Sequence, residues 1–248
     1  MTTDRRLLGA SALLFAASAI VTVVWCNAMS MGGMDMPGGW TMSMTWMRMP
    51  GQTWPGAAAT FLGMWTVMMV AMMLPSLVPM LARYRRAVGN SRRLGRLTLL
   101  AGAAYFAVWT LVGVAAYPLG VAIARVAMQA PWLARVAPIA AGTVVVAAGA
   151  LQFTAWKTRQ LACCRNESIP ALPADARSAW RHGLRLGVRC VKCCLGLTVL
   201  LLVVGVMDVR VMGLVTVAIS AERLAPVGAR VARVVGGLVM ASGLALMY

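Results

Sequence analysis

Long apolar segments alternate with short charged ones along the whole chain. A helix needs about 20 predominantly apolar residues to cross the hydrocarbon core of a bilayer. The pattern therefore predicts an all-α protein, a polytopic bundle of transmembrane helices, and we treat residues 1–248 as a single integral membrane domain. The stretches without Asp, Glu, Lys or Arg are residues 7–34, 49–82, 97–124, 136–156 and 193–207.

About seven spans are expected. Val211–Ala221 has only 11 uncharged residues, and runs of that length are often re-entrant or interfacial, so six spans are the alternative. A short interfacial helix is expected over Asp175–Leu186. Ala17-Ser18-Ala19 resembles a signal-peptide cleavage site, so a cleaved signal competes with a membrane anchor for the first span. The spans are about Leu7–Trp25, Ala57–Leu81, Leu97–Pro118, Val136–Trp156, Val188–Met207, Val211–Ala221 and Val227–Met247.

Composition and charge support the same reading. The chain is 61% hydrophobic and 12% charged, whereas soluble domains are about 45–50% apolar and about 25% charged. A soluble enzyme, a coiled coil, a disordered chain and a small disulfide scaffold are excluded. With a cytoplasmic N-terminus, 19 of the 23 Lys and Arg residues fall on the inner side, which is the asymmetry that orients membrane proteins. The net charge of +17 therefore indicates a lipid bilayer as partner and no nucleic acid.

Methionine is concentrated in residues 29–80, which hold 14 of the 20. In the outer Met-rich loop, residues 26–56, the pattern M-S-M-x-x-M-x-M occurs twice, and its Gly, Pro, Ser and Asp predict neither a core strand nor a helix. Thioether sulfur is a soft donor that suits Cu(I). A lipid-facing loop or a sacrificial surface that absorbs oxidant is the alternative. The predicted ligands are Met29, Met31, Met34, Met36, Met42, Met44, Met47 and Met49.

The second predicted span continues this methionine-rich stretch. Met64, Met68 and Met72 are spaced i, i+4 and i+8, so they share one helical face, and Met69 and Met73 form a second i, i+4 pair. Two prolines follow in the same span, and helices interrupted in this way often line cavities in membrane proteins. We interpret Met64, Met68 and Met72 as a path for the metal, with ordinary core packing as the alternative.

Five of the six cysteines fall on the predicted cytoplasmic side, in or beside the basic segment 157–189. Cys190, Cys193 and Cys194 are spaced to share one helical face, and Cys163 and Cys164 follow the fourth span. The cytosol is reducing, so these are expected as thiols. Two or three thiolates suit Cu(I), whereas four suit zinc. A structural zinc site, a redox pair or a palmitoylated patch are the alternatives.

Two acidic residues lie at the ends of the short sixth span. An ionisable residue within a membrane span is a functional candidate by default. We nevertheless expect a structural role for both, with Asp208 paired with Arg210 and Glu222 paired with a nearby arginine. His182, the single histidine, is expected to be an interfacial side chain, with a nitrogen ligand at the cysteine site as the alternative.

Several of these segments also carry family motifs. They are MWTVMMVAMMLPS from Met64 to Ser76, Gln152-Phe153-Thr154 with Lys157, Gly183–Cys194 with its Cys-x-x-Cys-Cys, Gly205-Val206-Met207, and Glu222. With them the chain resembles the bacterial domain-of-unknown-function family of predicted metal-binding integral membrane proteins, some members of which are labelled copper chaperones. The resemblance implies metal binding in the bacterial inner membrane. Many relatives have Cys at Gln160, His at Cys163 and His at Leu186, so the inner site of this chain is richer in sulfur.

From these observations we predict an integral membrane protein that binds Cu(I) and is not an enzyme. It captures copper at the outer loop and passes it to the cytoplasmic cysteines, as a chaperone or an uptake protein; zinc is the alternative metal at the cysteines. Two other functions remain open. One is an assembly factor that delivers copper to a partner cuproenzyme without net transport, and the other is a membrane thiol oxidoreductase that uses Cys190 and Cys193.

Overall fold

The structure, a computed structural model, describes residues 2–30, 34–36, 40–42, 44–48, 51–89, 91–165 and 172–247. Within these ranges nearly all of the chain is helical, so the all-α prediction is confirmed. The outer loop adds two three-residue strands and one turn of 3-10 helix, Met44–Trp46. The helices are α1 (Thr2–Ser30), α2 (Trp54–Val88), α3 (Leu94–Gln129), α4 (Pro131–Leu151), α5 (Ala155–Arg165), α6 (Ala176–Val204), α7 (Val209–Leu224) and α8 (Gly228–Ala245).

Five of the described helices, α1, α2, α3, α6 and α8, are long and apolar enough to cross a membrane. Residues 135–151 of α4 and residues 155–164 of α5 meet at a bend of 62°, and this bent pair counts as a sixth span if it is taken as one. α7 has 16 residues, fewer than a full crossing of the hydrocarbon core requires. The described helices are therefore compatible with a multi-pass membrane protein. The short sixth expected span, Val211–Ala221, corresponds to α7.

One local expectation was wrong. α6 runs without a break from Ala176 to Val204, so the expected interfacial helix and the expected fifth span form one helix. Asp175 caps its N-terminus, and the Asp175 carboxylate accepts a hydrogen bond from Ser178 N at 3.0 Å. In the outer loop, β1 (Met34–Met36) and β2 (Trp40–Met42) pair antiparallel, with Met34 opposite Met42.

α2 lies at the centre of the bundle, in contact with α1, α3 and α7. Its N-terminus is capped by Thr53, whose hydroxyl accepts a hydrogen bond from Gly56 N at 3.2 Å. The helix continues through two prolines, and Ser76 Oγ donates to the carbonyl of Met73 at 3.0 Å in this region. All the methionines of α2 are buried, so much of its core surface is thioether sulfur: Met64, Met68, Met69, Met72, Met73 and Met80.

α3 and α6 approach each other closely because two glycines of α6 face α3. A Cβ atom at Gly183 would collide with the carbonyl oxygen of Ala101, and one at Gly187 would lie 3.0 Å from the carbonyl oxygen of Tyr105. Small residues permit such backbone contacts between helices in membranes. This approach brings the side chain of Tyr105 to the cysteines of α6.

Gly183→Ala is expected to destabilise the bundle by about 1–3 kcal/mol, the usual cost of overpacking a tight contact. The new methyl group must push α6 away from the Ala101 carbonyl. Thermal unfolding in detergent measures the change. Gly102→Ala is the matched control, because a Cβ at Gly102 meets no atom within 4 Å and alanine favours the helix. Equal melting temperatures for the two variants would contradict the close α3–α6 packing.

Candidate metal centre

The cysteines of α6 lie in the core of the bundle. Cys190, Cys193 and Cys194 are each at most 2% exposed, as expected for residues that share one buried helical face. Cys164 on α5 is also buried and interacts with the Cys193 thiol, whereas the adjacent Cys163 is exposed. All five are free thiols. α5 and α6 thus bring four of the five predicted cysteines together and leave Cys163 outside the cluster.

Three sulfur atoms meet where α2 packs near α6. Cys190 Sγ lies 3.8 Å from Cys194 Sγ and 3.9 Å from Met73 Sδ. Two sulfurs bonded to one ion at about 2.3 Å stand about 3.8–4.0 Å apart in tetrahedral or trigonal geometry. Both distances from Cys190 Sγ therefore lie in the range expected for two sulfurs that share one soft ion. Among the described residues no three His, Cys, Asp or Glu side chains are grouped so as to hold a metal ion; the third sulfur at this point is the thioether of Met73.

The thioether at this junction is Met73 and not Met72. Met64, Met68 and Met72 are all buried, as a pathway or a core would require. However, the side chain that reaches Cys190 belongs to the second methionine pair of α2, Met69 and Met73. In the sequence, both methionine series have the same i, i+4 spacing, so the spacing could not distinguish them. Only the rotation of α2 against α6 decides which series meets the cysteines.

Two polar side chains from other helices also converge on Cys190. Tyr105 Oη on α3 donates to Cys190 Sγ at 2.9 Å. Arg223 Nη1 on α7 donates to the same sulfur at 2.8 Å and to Ser76 Oγ at 2.9 Å. Sequence reasoning missed both residues, because they lie on helices that carry no metal-ligand motif. A guanidinium beside a sulfur stabilises its anionic form, which is the form that binds metal.

A buried ion pair lies beside the cysteine cluster. Lys157 Nζ lies 2.6 Å from Glu222 Oε2 and donates to the carbonyl oxygen of Cys193 at 2.7 Å. Both side chains are less than 5% exposed. The expected arginine partner of Glu222 was wrong, since its partner is Lys157, a motif residue from α5. These contacts tie α5, α6 and α7 together at the level of the cysteines.

Asp208, the other acidic residue of the sixth span, accepts hydrogen bonds from backbone groups and not from the Arg210 side chain. Asp208 Oδ1 accepts hydrogen bonds from the backbone N–H groups of Arg210 at 2.7 Å and Val211 at 3.2 Å. It is therefore the N-cap of α7, and the expected side-chain pair with Arg210 was wrong. His182 is buried and its ring stacks on Tyr84 with 5.0 Å between centroids. His182 therefore packs against α2 inside the bundle.

The described part of the outer loop packs against the outer end of α3. Met36 lies in a small cluster with Ala124 and Ala127, against which Met47 also packs. Trp46 links this cluster to α2 through Phe61, with 5.3 Å between ring centroids. This cluster is separate from the one that holds the cysteines. Of the other predicted loop ligands, Met31 and Met49 lie outside the described residues. Only the backbone is described for Met29, Met34, Met42 and Met44.

Comparison with known proteins identifies one related family. The family model PpoB2, described as copper chaperone, matches residues 62–246. The matched segment begins in α2 and includes Met73, the cysteine cluster, Tyr105 and Arg223, whereas the outer loop precedes it. No curated protein and no solved structure shows significant similarity to the chain.

Proposed function

The chain belongs to the PpoB2 family of copper chaperones, and from this premise we propose that it binds Cu(I) through buried sulfur in a membrane-embedded helical bundle. One observation carries the proposal: Cys190 Sγ lies within 4 Å of both Cys194 Sγ and Met73 Sδ. Thiolate and thioether donors favour Cu(I) over the harder biological cations. Copper is the cargo here, held between helices and then released.

The proposed location is the bacterial inner membrane, crossed several times. Five long apolar helices support this location. The orientation follows from the basic residues, with the N-terminus and segment 157–189 in the cytoplasm. The cysteine cluster then lies towards the cytoplasmic side and the Met-rich loop on the outer side.

In the proposed route the loop methionines capture copper outside, and the methionines of α2 lead it to Cys190. Burial of Met64, Met68 and Met72 along one helix supports a continuous series of soft donors. The ligands change from neutral thioethers to anionic thiolates, so affinity rises inward. A negative-inside potential favours the same direction by about 2.3 kcal/mol per charge per 100 mV.

We propose that the protein holds copper for a copper-accepting protein and catalyses no reaction. Burial of the cysteines supports ligand exchange with a partner, because bulk solvent has little access to the sulfur atoms. Copper accumulation in cells distinguishes net uptake from direct handover. Deletion lowers cell copper if the protein imports it, whereas handover to a client changes only the client's metal content.

The test is the metal content and Cu(I) affinity of the purified protein in detergent. Three proteins are compared: the unaltered chain, a variant with the eight loop methionines changed to leucine, and a Cys190/Cys193/Cys194→Ser variant. We expect the unaltered chain to bind copper and each variant to lose a separate part of it. Leucine keeps the apolar volume of methionine, so the loop variant removes sulfur with little change in packing.

Two outcomes would contradict the proposal. Zinc retained only through the cysteines indicates a structural metal site and removes the basis for a copper route. No metal on any of the three proteins returns the methionines to a packing role. In that case a reversible disulfide among the α6 cysteines becomes the next property to measure.

A further inference from the structure

Arg223 is a buried cation whose hydrogen bonds go to sulfur and hydroxyl groups. Its side chain lies in the last turn of α7, and the residue is 5% exposed. Nη1 donates to Cys190 Sγ and to Ser76 Oγ, and Nη2 lies 3.2 Å from Met80 Sδ. The guanidinium therefore lies against the same sulfur that contacts Met73 and Cys194.

No carboxylate balances this charge among the described residues. Glu222 is the neighbour of Arg223 in sequence, but its carboxylate is paired with Lys157. That pair is the one salt bridge within the described part of the chain. A buried charge is costly unless an opposite charge compensates it. The anion available to Arg223 is the sulfur of Cys190, with Cys194 beyond it.

We propose that Arg223 makes the cysteine cluster selective for monovalent over divalent ions, which deepens and rests on the copper-binding function proposed above. Metal-bound cysteines are thiolates. A monovalent ion on the thiolates of Cys190 and Cys194 leaves one net negative charge, which Arg223 balances. A divalent ion on the same thiolates is already neutral, so Arg223 would leave an excess positive charge in the core.

The size of the effect follows from one charge–charge interaction. Two unit charges about 4 Å apart still interact, at an effective dielectric constant of about 20, by more than the free energy of a tenfold change in affinity. Removing the charge of Arg223 should therefore lower the ratio of monovalent to divalent affinity by at least about tenfold. Packing defects and partial unfolding affect both ions alike, so the ratio isolates the charge.

The experiment measures Ag⁺ and Zn²⁺ affinity, each ion alone, on the purified full chain in detergent. The proteins are the unaltered chain, Arg223→Gln, Arg223→Leu and Arg223→Lys. Each affinity is also measured on the same protein with Cys190→Ser added. The binding lost on that substitution is the metal bound at the cysteine cluster. Arg233→Gln is the matched control, since it removes the same charge from an exposed position on α8.

We expect Gln and Leu at position 223 to lower the silver-to-zinc ratio, and Lys and the control to keep it close to that of the unaltered chain. Arg223→Leu buries no unpaired polar group, unlike Arg223→Gln, so it provides a second test of the charge if Arg223→Gln folds poorly. An unchanged ratio in a folded neutral variant would overturn the selectivity role while leaving copper binding intact. Absence of silver from the unaltered chain overturns copper binding itself, and the selectivity role with it.

Discussion

Cys190→Ser is expected to lower the affinity for Cu(I) or Ag⁺ by at least about 100-fold. Loss of a residue that only orients a ligand typically costs 10–100-fold, and Cys190 is the sulfur at which the others converge, including Met73 and Cys194. Serine keeps an acceptor for the Arg223 and Tyr105 hydrogen bonds. The fold should therefore survive while the soft donor is lost. Competition with a chromogenic chelator measures the affinity.

Cys163→Ser is the control for this prediction. It makes the same chemical change on α5, but Cys163 is exposed and its neighbour Cys164 is the cysteine in the cluster. Its affinity should equal that of the unaltered chain. Equal losses for Cys163→Ser and Cys190→Ser would mean that the ion is held at the cytoplasmic surface and not at the α2–α6 junction.

Lys157→Met is expected to destabilise the protein by about 3–5 kcal/mol, the usual cost of leaving one partner of a buried ion pair uncompensated. Glu222 would then retain a charge with no cation in contact, and the bond that holds the Cys193 carbonyl would be lost. This is the largest stability change that we expect for a single substitution in the described part of the chain. Thermal unfolding in detergent, without added metal, measures it.

The double variant Lys157→Met with Glu222→Leu separates the charge effect from packing. Both charges are then absent, and similar pairs replaced by apolar residues are often neutral or stabilising. Most of the lost stability should return. Lys192→Met, an exposed lysine on α6, should change little. A double variant no more stable than Lys157→Met would show that the pair acts through its hydrogen bonds and not through its charges.

Arg223 and the Lys157–Glu222 pair bring three charges into the core beside the cysteines, on adjacent helices. Membrane interiors penalise such groups unless they pair with one another or with a bound ion. The Lys157–Glu222 pair is neutral by itself, whereas the Arg223 guanidinium contacts the sulfur atoms of Cys190 and Met80. The two predictions above and the selectivity test therefore examine separate parts of one charge arrangement.

Local sequence was sufficient for most of the helices. Uncharged runs of about 20 residues or more predicted α1, α2, α3 and α4, because a helix satisfies its own backbone hydrogen bonds in an apolar surrounding. The spans that correspond to α6 and α8 were predicted from mainly apolar segments that include basic residues. Local sequence was less informative at boundaries. The sequence separated an interfacial helix, Asp175–Leu186, from a span that begins near Val188, but the chain forms one helix from Ala176 to Val204 with Asp175 as its N-cap.

The kinds of donor at the site were also evident from the sequence. Cys190, Cys193 and Cys194 share a face at any helical geometry, since i, i+3 and i+4 positions always do. The same rule could not choose between the two methionine series of α2. Nor could it find the partner of Glu222, because lysine and arginine are equally plausible until the helices are packed.

The sequence by itself determined that this chain is a helical bundle with soft sulfur donors on two of its helices. Those properties depend on residues within a few turns of one another, where helical periodicity decides the outcome. Only the tertiary structure decided that Met73 meets Cys190, that Tyr105 and Arg223 join them, and that Lys157 pairs with Glu222. These contacts join residues 33 to 117 positions apart, and they depend on how α2, α3, α5, α6 and α7 rotate and pack against each other.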